Sequence, residues 1–441
     1  MRLRKGQAGM KQRKRAIIAG GGWGGCAAAV SAVKCGMDTV LLERTDMLLG
    51  TGLVGGIMRN NGRFTAQEEC AALGAGELFR ITDQFARHRN VDFPGHRHAS
   101  LYDVTRTPAA VERYLHRIGV RVEYQARIRK AEAARGILYS VTDDSGRVFD
   151  GDVFVDATGS AGPQGNCAKY GNGCAMCVLR CPSFGGRVSL TALAGIPEIQ
   201  GKNAVGETGA MSGSCKLQKE SLAPSIVGCL ERTGVAVIPL PKELIEDHLA
   251  EKACQQYALP EYRENLILLD TGHAKMMTPF FDLHKLRRVP GFENARYADP
   301  YAGGRGNSVR FLAMAPREDS LLVNGMKNLL CAGEKAGLLV GHTEAIVTGS
   351  LAGFNAARLA YGKEPLCLPR GLACGEAIAF VREQMGSAQG LSMKYTFSGS
   401  VLYERLKKLG LDSSDPEQIR VRVNKLGLAH ILRPRYGDFP I

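Results

Sequence analysis

The sequence has no apolar run near the ~18 residues that a helix needs to cross a bilayer. No membrane span is therefore expected. The basic stretch from Met1 to Arg15 runs directly into an apolar strand, with neither a leader-type apolar core nor a small-residue cleavage site, so a soluble cytoplasmic protein is expected. No internal repeat or low-complexity tract is found, which excludes solenoid and fibrous architectures. No basic stripe is interleaved with aromatic residues, and such a stripe is what a single-stranded nucleic-acid platform would show. The thirteen cysteines, an odd number without a secretion signal, read as reduced thiols, metal ligands or redox groups and not as a disulfide framework.

A chain of 441 residues with 45% hydrophobic residues has ample length for two domains and a large buried core. The formal charge of +14 is partly concentrated in the N-terminal tail, at Arg2, Arg4, Lys5, Lys11, Arg13, Lys14 and Arg15. The rest is scattered, as in Arg127-Ile128-Arg129-Lys130 and Lys285-Leu286-Arg287-Arg288. Solvated surface charge accounts for this distribution better than an RNA partner does.

The most informative stretch is the apolar strand Ala16-Ile17-Ile18-Ala19 followed by Gly20-Gly21-Gly22-Trp23-Gly24-Gly25. Gly20, Gly22 and Gly25 stand in G-x-G-x-x-G order: the first permits the tight turn, the second admits a pyrophosphate, and the third lets helix and strand pack closely. Cys26 to Ala32 supplies small helix-compatible residues, and Asp38 to Leu42 reads as the next buried parallel strand. Glu43 then falls where a carboxylate meets ribose hydroxyls. Strand, glycines, helix, strand and terminal acid together predict a dinucleotide site on a helix N-terminus.

Two later segments specify the dinucleotide by resemblance. Val153 to Gly159, an apolar strand ending in Ala-Thr-Gly, resembles the second FAD fingerprint of the glutathione-reductase-type flavoproteins. Asn328-Leu329-Leu330-Cys331-Ala332-Gly333-Glu334 resembles the segment whose acid meets the ribityl chain. The run Gly341-His342-Thr343-Glu344-Ala345, with Thr348-Gly349, Ala352-Gly353 and Asn355 to Arg358, is similar to the flavin-directed helix of the glucose-inhibited division protein A type of tRNA-modifying enzymes. Leu49 to Gly56 resembles a loop found after the ribose acid in a broad group of FAD-dependent oxidoreductases. The resemblance implies FAD as cofactor. Gly20, Gly22, Gly24, Gly25, Glu43 and Arg44 would hold the ADP half, Thr158, Gly159, Gly333 and Glu334 the middle, and Thr343 and Glu344 the flavin end.

The expected fold is α/β: a Rossmann-type FAD-binding domain built from discontinuous segments, with an inserted α+β substrate domain and a helical C-terminal appendage. The expected division is a basic tail (1–14), a first FAD-binding part (15–159), a cysteine-containing insertion (160–320), a last FAD-binding part (321–365) and a helical region (366–441). Strands at Val120–Tyr124 and Ile137–Val141 suit a small sheet laid across the parallel core. Amphipathic helices are expected at Val401–Leu409 and Pro416–Leu426.

Flavin architecture does not account for Cys167, Cys174, Cys177 and Cys181, the last followed by Pro182. The C-x2-C-x3-C-P ending overlaps the ligand runs of bacterial ferredoxins, whereas the longer gap before Cys174 departs from them. Three readings stay open: a [4Fe-4S] or similar cluster on all four thiols, a redox-active Cys174–Cys177 pair, and structural cysteines or a zinc site. His273 and His284, with Lys275 and Lys285, are candidate proton donors or surface residues. His96 and His98 lack the neighbours of a metal site. Arg305 and Arg310 can hold a substrate carboxylate or serve as surface arginines. His342 is a cofactor-side group or a helix-capping one.

The function expected is FAD-dependent oxidoreduction. Electrons would pass between a small-molecule substrate or a redox protein and FAD, with the cysteine centre passing them on or receiving them. One alternative is a flavin-dependent RNA (tRNA) modification enzyme. Another is a non-catalytic flavin subunit of an electron-transfer complex.

Overall fold

Arg15–Ala19 (β1), Asp38–Leu42 (β2), Arg121–Glu123 (β3), Val153–Asp156 (β4) and Leu329–Cys331 (β5) form one parallel sheet in the order β5-β4-β1-β2-β3. Ile17 pairs with Val40 on one side and Phe154 on the other, and all three are fully buried. A strand covered on both faces must be apolar throughout, which is why these segments read as unbroken hydrophobic runs. The computed structural model describes residues 13–159, 180–202, 210–211, 214–247, 249–251, 255–278, 280–298, 309–310 and 312–433.

Helix α1 (Trp23–Lys34) links β1 to β2, and helix α2 (His342–Ala360) lies against it. The two backbones touch through small residues. A Cβ on Gly349 would sit 2.1 Å from the Gly24 carbonyl oxygen, and one on Gly353 would sit 2.1 Å from that of Ala28. The Ala-rich α1 and the glycines of α2 are therefore one packing device. The first and last segments of the FAD-type core meet through it.

The strand at Val120–Tyr124 differs from expectation. It is β3, the edge of the parallel sheet beside β2, and not part of a crossing sheet. It follows the helix Thr107–Arg117, so the chain re-enters in the direction that parallel pairing requires, and the Glu43 amide donates to the Glu123 carbonyl at 2.8 Å. The crossing sheet is the antiparallel meander Ile128–Ala134, Ile137–Asp143 and Val148–Asp150.

A second layer holds a four-stranded antiparallel sheet of Cys215–Leu217, Ala274–Met276, Asn265–Asp270 and Val235–Pro239. One face packs Cys215, Leu217, Leu266, Leu268 and Met276 into a core of its own. On the other, Ile267 and Leu269 join Ile57, Val91, Phe93 and Leu101 from the sheet of Ile57–Met58, Ala86–Phe93 and His96–Tyr102. Residues 57–102 thus share a core with residues 262–277.

Near the C-terminus, Ala373–Gln384, Ser400–Lys408 and Pro416–Lys425 are helices. The last opens on an Asp415 cap whose side chain accepts from the amides of Glu417 and Gln418, with Pro416 in the first turn. Leu402, Leu406, Ile419 and Val423 are their buried sides. Among the described residues, no helix is long and apolar enough to cross a membrane.

Candidate functional site

The loops at the carboxyl ends of the parallel strands surround a cleft. It runs across the sheet from Glu43 and Ala126–Ile128 beyond β2 and β3, past Ala157–Gly159 beyond β4, to Gly333 and Glu334 beyond β5. This is the edge where open α/β sheets bind their ligands. Gly341, His342 and Ala345 of the α2 entry, with Gly50 and Thr51, close one end.

The three spaced glycines play different steric parts. Gly20 has φ +101°, and a Cβ there would lie 2.4 Å from the Ala157 carbonyl oxygen. A Cβ on Gly25 would lie 1.8 Å from the Gly20 carbonyl oxygen, so only glycine lets the helix sit so close to the turn. Gly22 has nothing within 4 Å of its Cβ position and lines the cleft. It is also the N-cap of α1 and offers no side-chain cap, so the first-turn N–H groups are left for a ligand. Gly24 lines the cleft too, against the backbone of Gly333.

Glu43 lines the cleft while its carboxylate is anchored. Oε2 accepts from the Gly21 amide at 2.7 Å, and Oε1 accepts from the Thr45 amide at 2.8 Å and hydroxyl at 3.0 Å. Carboxylate lone pairs remain to accept hydroxyl donors. Arg44 donates to the Gly185 carbonyl and Arg127 donates to that of Gly186 at 2.7 Å, so both arginines grip one turn over the cleft. Arg187, from that turn, also lines it.

Thr158 and Gly159 are positioned by the buried Asp156. One oxygen of this carboxylate accepts from the Thr158 amide and hydroxyl at 3.1 and 2.7 Å, and the other from those of Thr191 at 2.8 and 2.7 Å. After β5, Gly333 has φ +64° and its amide donates to the Thr348 hydroxyl at 2.9 Å. Its neighbour Glu334 lines the cleft. Lys335 turns inward to pair with Glu198 and donates to the Ser189 hydroxyl at 3.1 Å; burial pulls its pKa down.

Thr343 and Glu344 are not brought to the cleft. Glu344 is fully buried and pairs with Arg63, while Thr343 is buried with its hydroxyl 3.6 Å from the Met58 sulfur. A helix turns about 100° per residue, so the face that carries His342 and Ala345 to the cleft turns these two away. His342 stands in their place.

Residues 16–162 match the FAD dependent oxidoreductase family, and residues 270–364 match the Glucose inhibited division protein A family. The early segment is therefore similar to the FAD-dependent oxidoreductases and the later one to the GidA type. Over 150 residues it is 30% identical to the tRNA uridine 5-carboxymethylaminomethyl modification enzyme MnmG of Pediococcus pentosaceus, a match covering 34% of this chain and 23% of that protein. Over 101 residues it is 34% identical to the methylenetetrahydrofolate–tRNA-(uracil-5-)-methyltransferase TrmFO of Lysinibacillus sphaericus, covering 22% of each. These matches thus span less than a quarter of the relatives' length. The fold is similar to that of Aquifex aeolicus GidA, with a TM-score of 0.67 at 17% identity, covering 95% of this chain and 74% of that one.

The cleft fits FAD on steric grounds. The open Gly22 position at an uncapped helix end suits a pyrophosphate, the Glu43 carboxylate suits ribose hydroxyls, and the Gly333 turn lets backbone approach closely.

The other candidates lie elsewhere. Cys167, Cys174 and Cys177 fall outside the described residues, as does Arg305, and nothing is assigned to the side chain of Arg310. Cys181 opens a short helix, Cys181–Phe184, and is half-buried. Among the described residues no group of His, Cys, Asp and Glu is arranged to hold a metal. His284 is exposed in the turn capped by Asp282, and His98 is at the surface with Nδ1 3.0 Å from the Asn90 side-chain oxygen. His96 is buried between Phe93 and Tyr257, with Nδ1 2.9 Å from the Asn60 amide nitrogen. Trp23, Arg127 and Arg187, which also line the cleft, were not singled out as site residues from the sequence. The only signal for Arg187 was its position after the Gly185-Gly186 pair.

Proposed function

We propose that this protein is an FAD-dependent enzyme that acts on RNA, with a tRNA uridine as its substrate class. The observation that carries the reading is that residues 270–364, which build β5, the Gly333 turn and α2 along one end of the cleft, are the GidA-type segment. Relatives in both groups named above are tRNA uridine-modifying enzymes.

Bound FAD would supply two-electron redox chemistry. The chain's own residues would then position it. The N-terminus of α1 holds the pyrophosphate over Gly22, Glu43 accepts from the ribose, and the Thr158–Gly159 and Gly333–Glu334 turns fix the middle of the cofactor. His342, at the far end, is the group placed to exchange a proton or hydrogen bond with whatever lies there.

The test is to purify the protein with its flavin and titrate unmodified tRNA at several salt concentrations. Binding whose affinity falls steeply with salt, together with a tRNA-dependent change in the flavin spectrum, is the expected result. Full flavin content without tRNA binding at low salt would leave a small-molecule or protein redox partner instead. A second reading, an electron-transfer flavoprotein, rests on the spacing of Cys167, Cys174, Cys177 and Cys181. Stoichiometric iron and acid-labile sulfide would be its signature, and flavin without iron would end it.

A further inference from the structure

One buried lysine beside the cleft spends all its hydrogen bonds on segments that do not line it. Lys335, in the turn Gly333–Ala336 after β5, is 1% exposed. Its ammonium has three N–H groups to place. Its partners are the Glu198 carboxylate, the Ser189 hydroxyl at 3.1 Å and the Ala313 carbonyl at 3.3 Å. Ser189 is saturated in turn: its proton goes to Glu198 Oε1 at 2.6 Å, and its oxygen also accepts from the Ala192 amide at 3.1 Å, capping the short helix Leu190–Leu193.

These partners stand at the root of a stalk. Ile199 and Gln200 pair antiparallel with Met314 and Ala313, and the Gly201 amide donates to the Leu312 carbonyl at 2.8 Å. The strands of the four-stranded sheet, from Cys215 to Met276, lie between the two in sequence, so the chain leaves for the second layer through one side of this ribbon and returns through the other. Lys335 grips both sides, through Glu198 and Ala313, and its own carbonyl accepts from the Ala315 amide at 2.9 Å. The helix that Ser189 caps is bonded through Thr191 to Asp156, which holds Thr158. Both turns in the middle of the cleft, 158–159 and 333–334, are therefore tied to one segment, 189–198.

Apolar residues of like volume would stabilise such a buried site about as well as an ion pair does, so stability alone does not account for Lys335 and Glu198. A ligand that fixes the Gly333–Glu334 turn from the cleft side also restrains Lys335, the next residue in the chain, and through it the stalk. By linkage, a stalk held in place tightens the ligand by the same factor.

We infer that Lys335 is a positioning residue that couples cofactor binding in the cleft to the stalk of the second layer. The inference rests on FAD as the occupant of the cleft.

Hydrogen exchange of the full-length protein, flavin-free and FAD-loaded, tests it in peptides covering 199–201 and 312–315. In the wild type, FAD is expected to slow exchange in both stalk strands as well as in the 333–336 turn. The double variant Lys335→Met, Glu198→Gln removes the two charges together and leaves Ser189 an acceptor. There FAD is expected to protect the turn but not the stalk, and to bind on the order of tenfold more weakly. A stalk unprotected in the loaded wild type overturns the inference without needing the variant to fold. Equal stalk protection in the folded double variant overturns it as well. Flavin absorbance on the same samples separates this inference from the cofactor assignment: a wild type that holds no FAD overturns both, whereas one that holds FAD over an unprotected stalk overturns the coupling alone.

Discussion

Arg63 Nε lies 3.0 and 3.1 Å from the two carboxylate oxygens of Glu344, a residue 281 positions later in the chain, and the pair is sealed from solvent. Glu344 Oε1 also accepts from the Thr396 hydroxyl at 2.6 Å and the Phe397 amide at 2.9 Å. The start of α2 is thereby tied to an early helix, Gly62–Ala72, and to a late loop. Removing one partner strands a buried charge. Glu344→Ala is expected to cost about 3–5 kcal/mol in urea unfolding, and the double variant Arg63→Met, Glu344→Leu much less than the sum of the single losses.

Gly22 and Gly25 separate ligand binding from folding. A side chain at Gly22 enters open cleft space, so Gly22→Leu is expected to fold with unchanged thermal stability and to purify without flavin. Gly25→Leu meets the Gly20 carbonyl and loses stability along with the flavin. Flavin absorbance per protein and a melting curve on each variant check this. Normal flavin content in Gly22→Leu would remove the dinucleotide assignment.

Asp156 carries the turn that lines the middle of the cleft. Replacing it with Ala orphans donors on both Thr158 and Thr191, at about 1–3 kcal/mol for each buried group left unsatisfied. FAD is expected to dissociate faster from this variant, as read by the rate of flavin release on dilution.

His96 makes stability depend on acid. Burial, aided by the charge on Arg63, lowers its pKa to about 3, so the folded protein keeps the ring neutral where the unfolded chain would protonate it. Its contribution is complete above the ordinary histidine pKa of about 6.5 and is lost as pH falls from there toward about 3, by at most about 1.4 kcal/mol per pH unit. The acid slope of unfolding stability between these limits should flatten in His96→Phe. An unchanged slope would assign the acid sensitivity to other groups.

The first βαβ unit was legible because each of its constraints is local. A doubly covered strand needs an apolar run, the turn needs its glycines in order, and Glu43 follows the strand directly. The same locality made Gly333 and Thr158 legible. Strand β3 was misplaced because three residues, one exposed and two half-buried, carry too little pattern to show which sheet they join. Thr343 and Glu344 were favoured over His342 because a sequence resemblance marks the helix but not the face turned toward the cleft. Arg187, which lines the cleft, and Tyr102 and Arg63, which contact His342 and Glu344 at the start of α2, come from elsewhere in the fold, and no local rule ties them to it.

The meeting of α1 with α2 across more than three hundred residues also bears on how the protein is made. During synthesis β1, α1 and β2 emerge first, yet the small-residue face of α1 that receives Gly349 and Gly353 stays uncovered until those residues have left the ribosome. Contacts so distant in sequence form late and slowly, and an exposed small-residue helix face invites wrong partners in the interval. The unfinished chain therefore carries an open helix face for most of its synthesis, and conditions that limit off-pathway contacts in that interval are expected to raise the yield of folded protein.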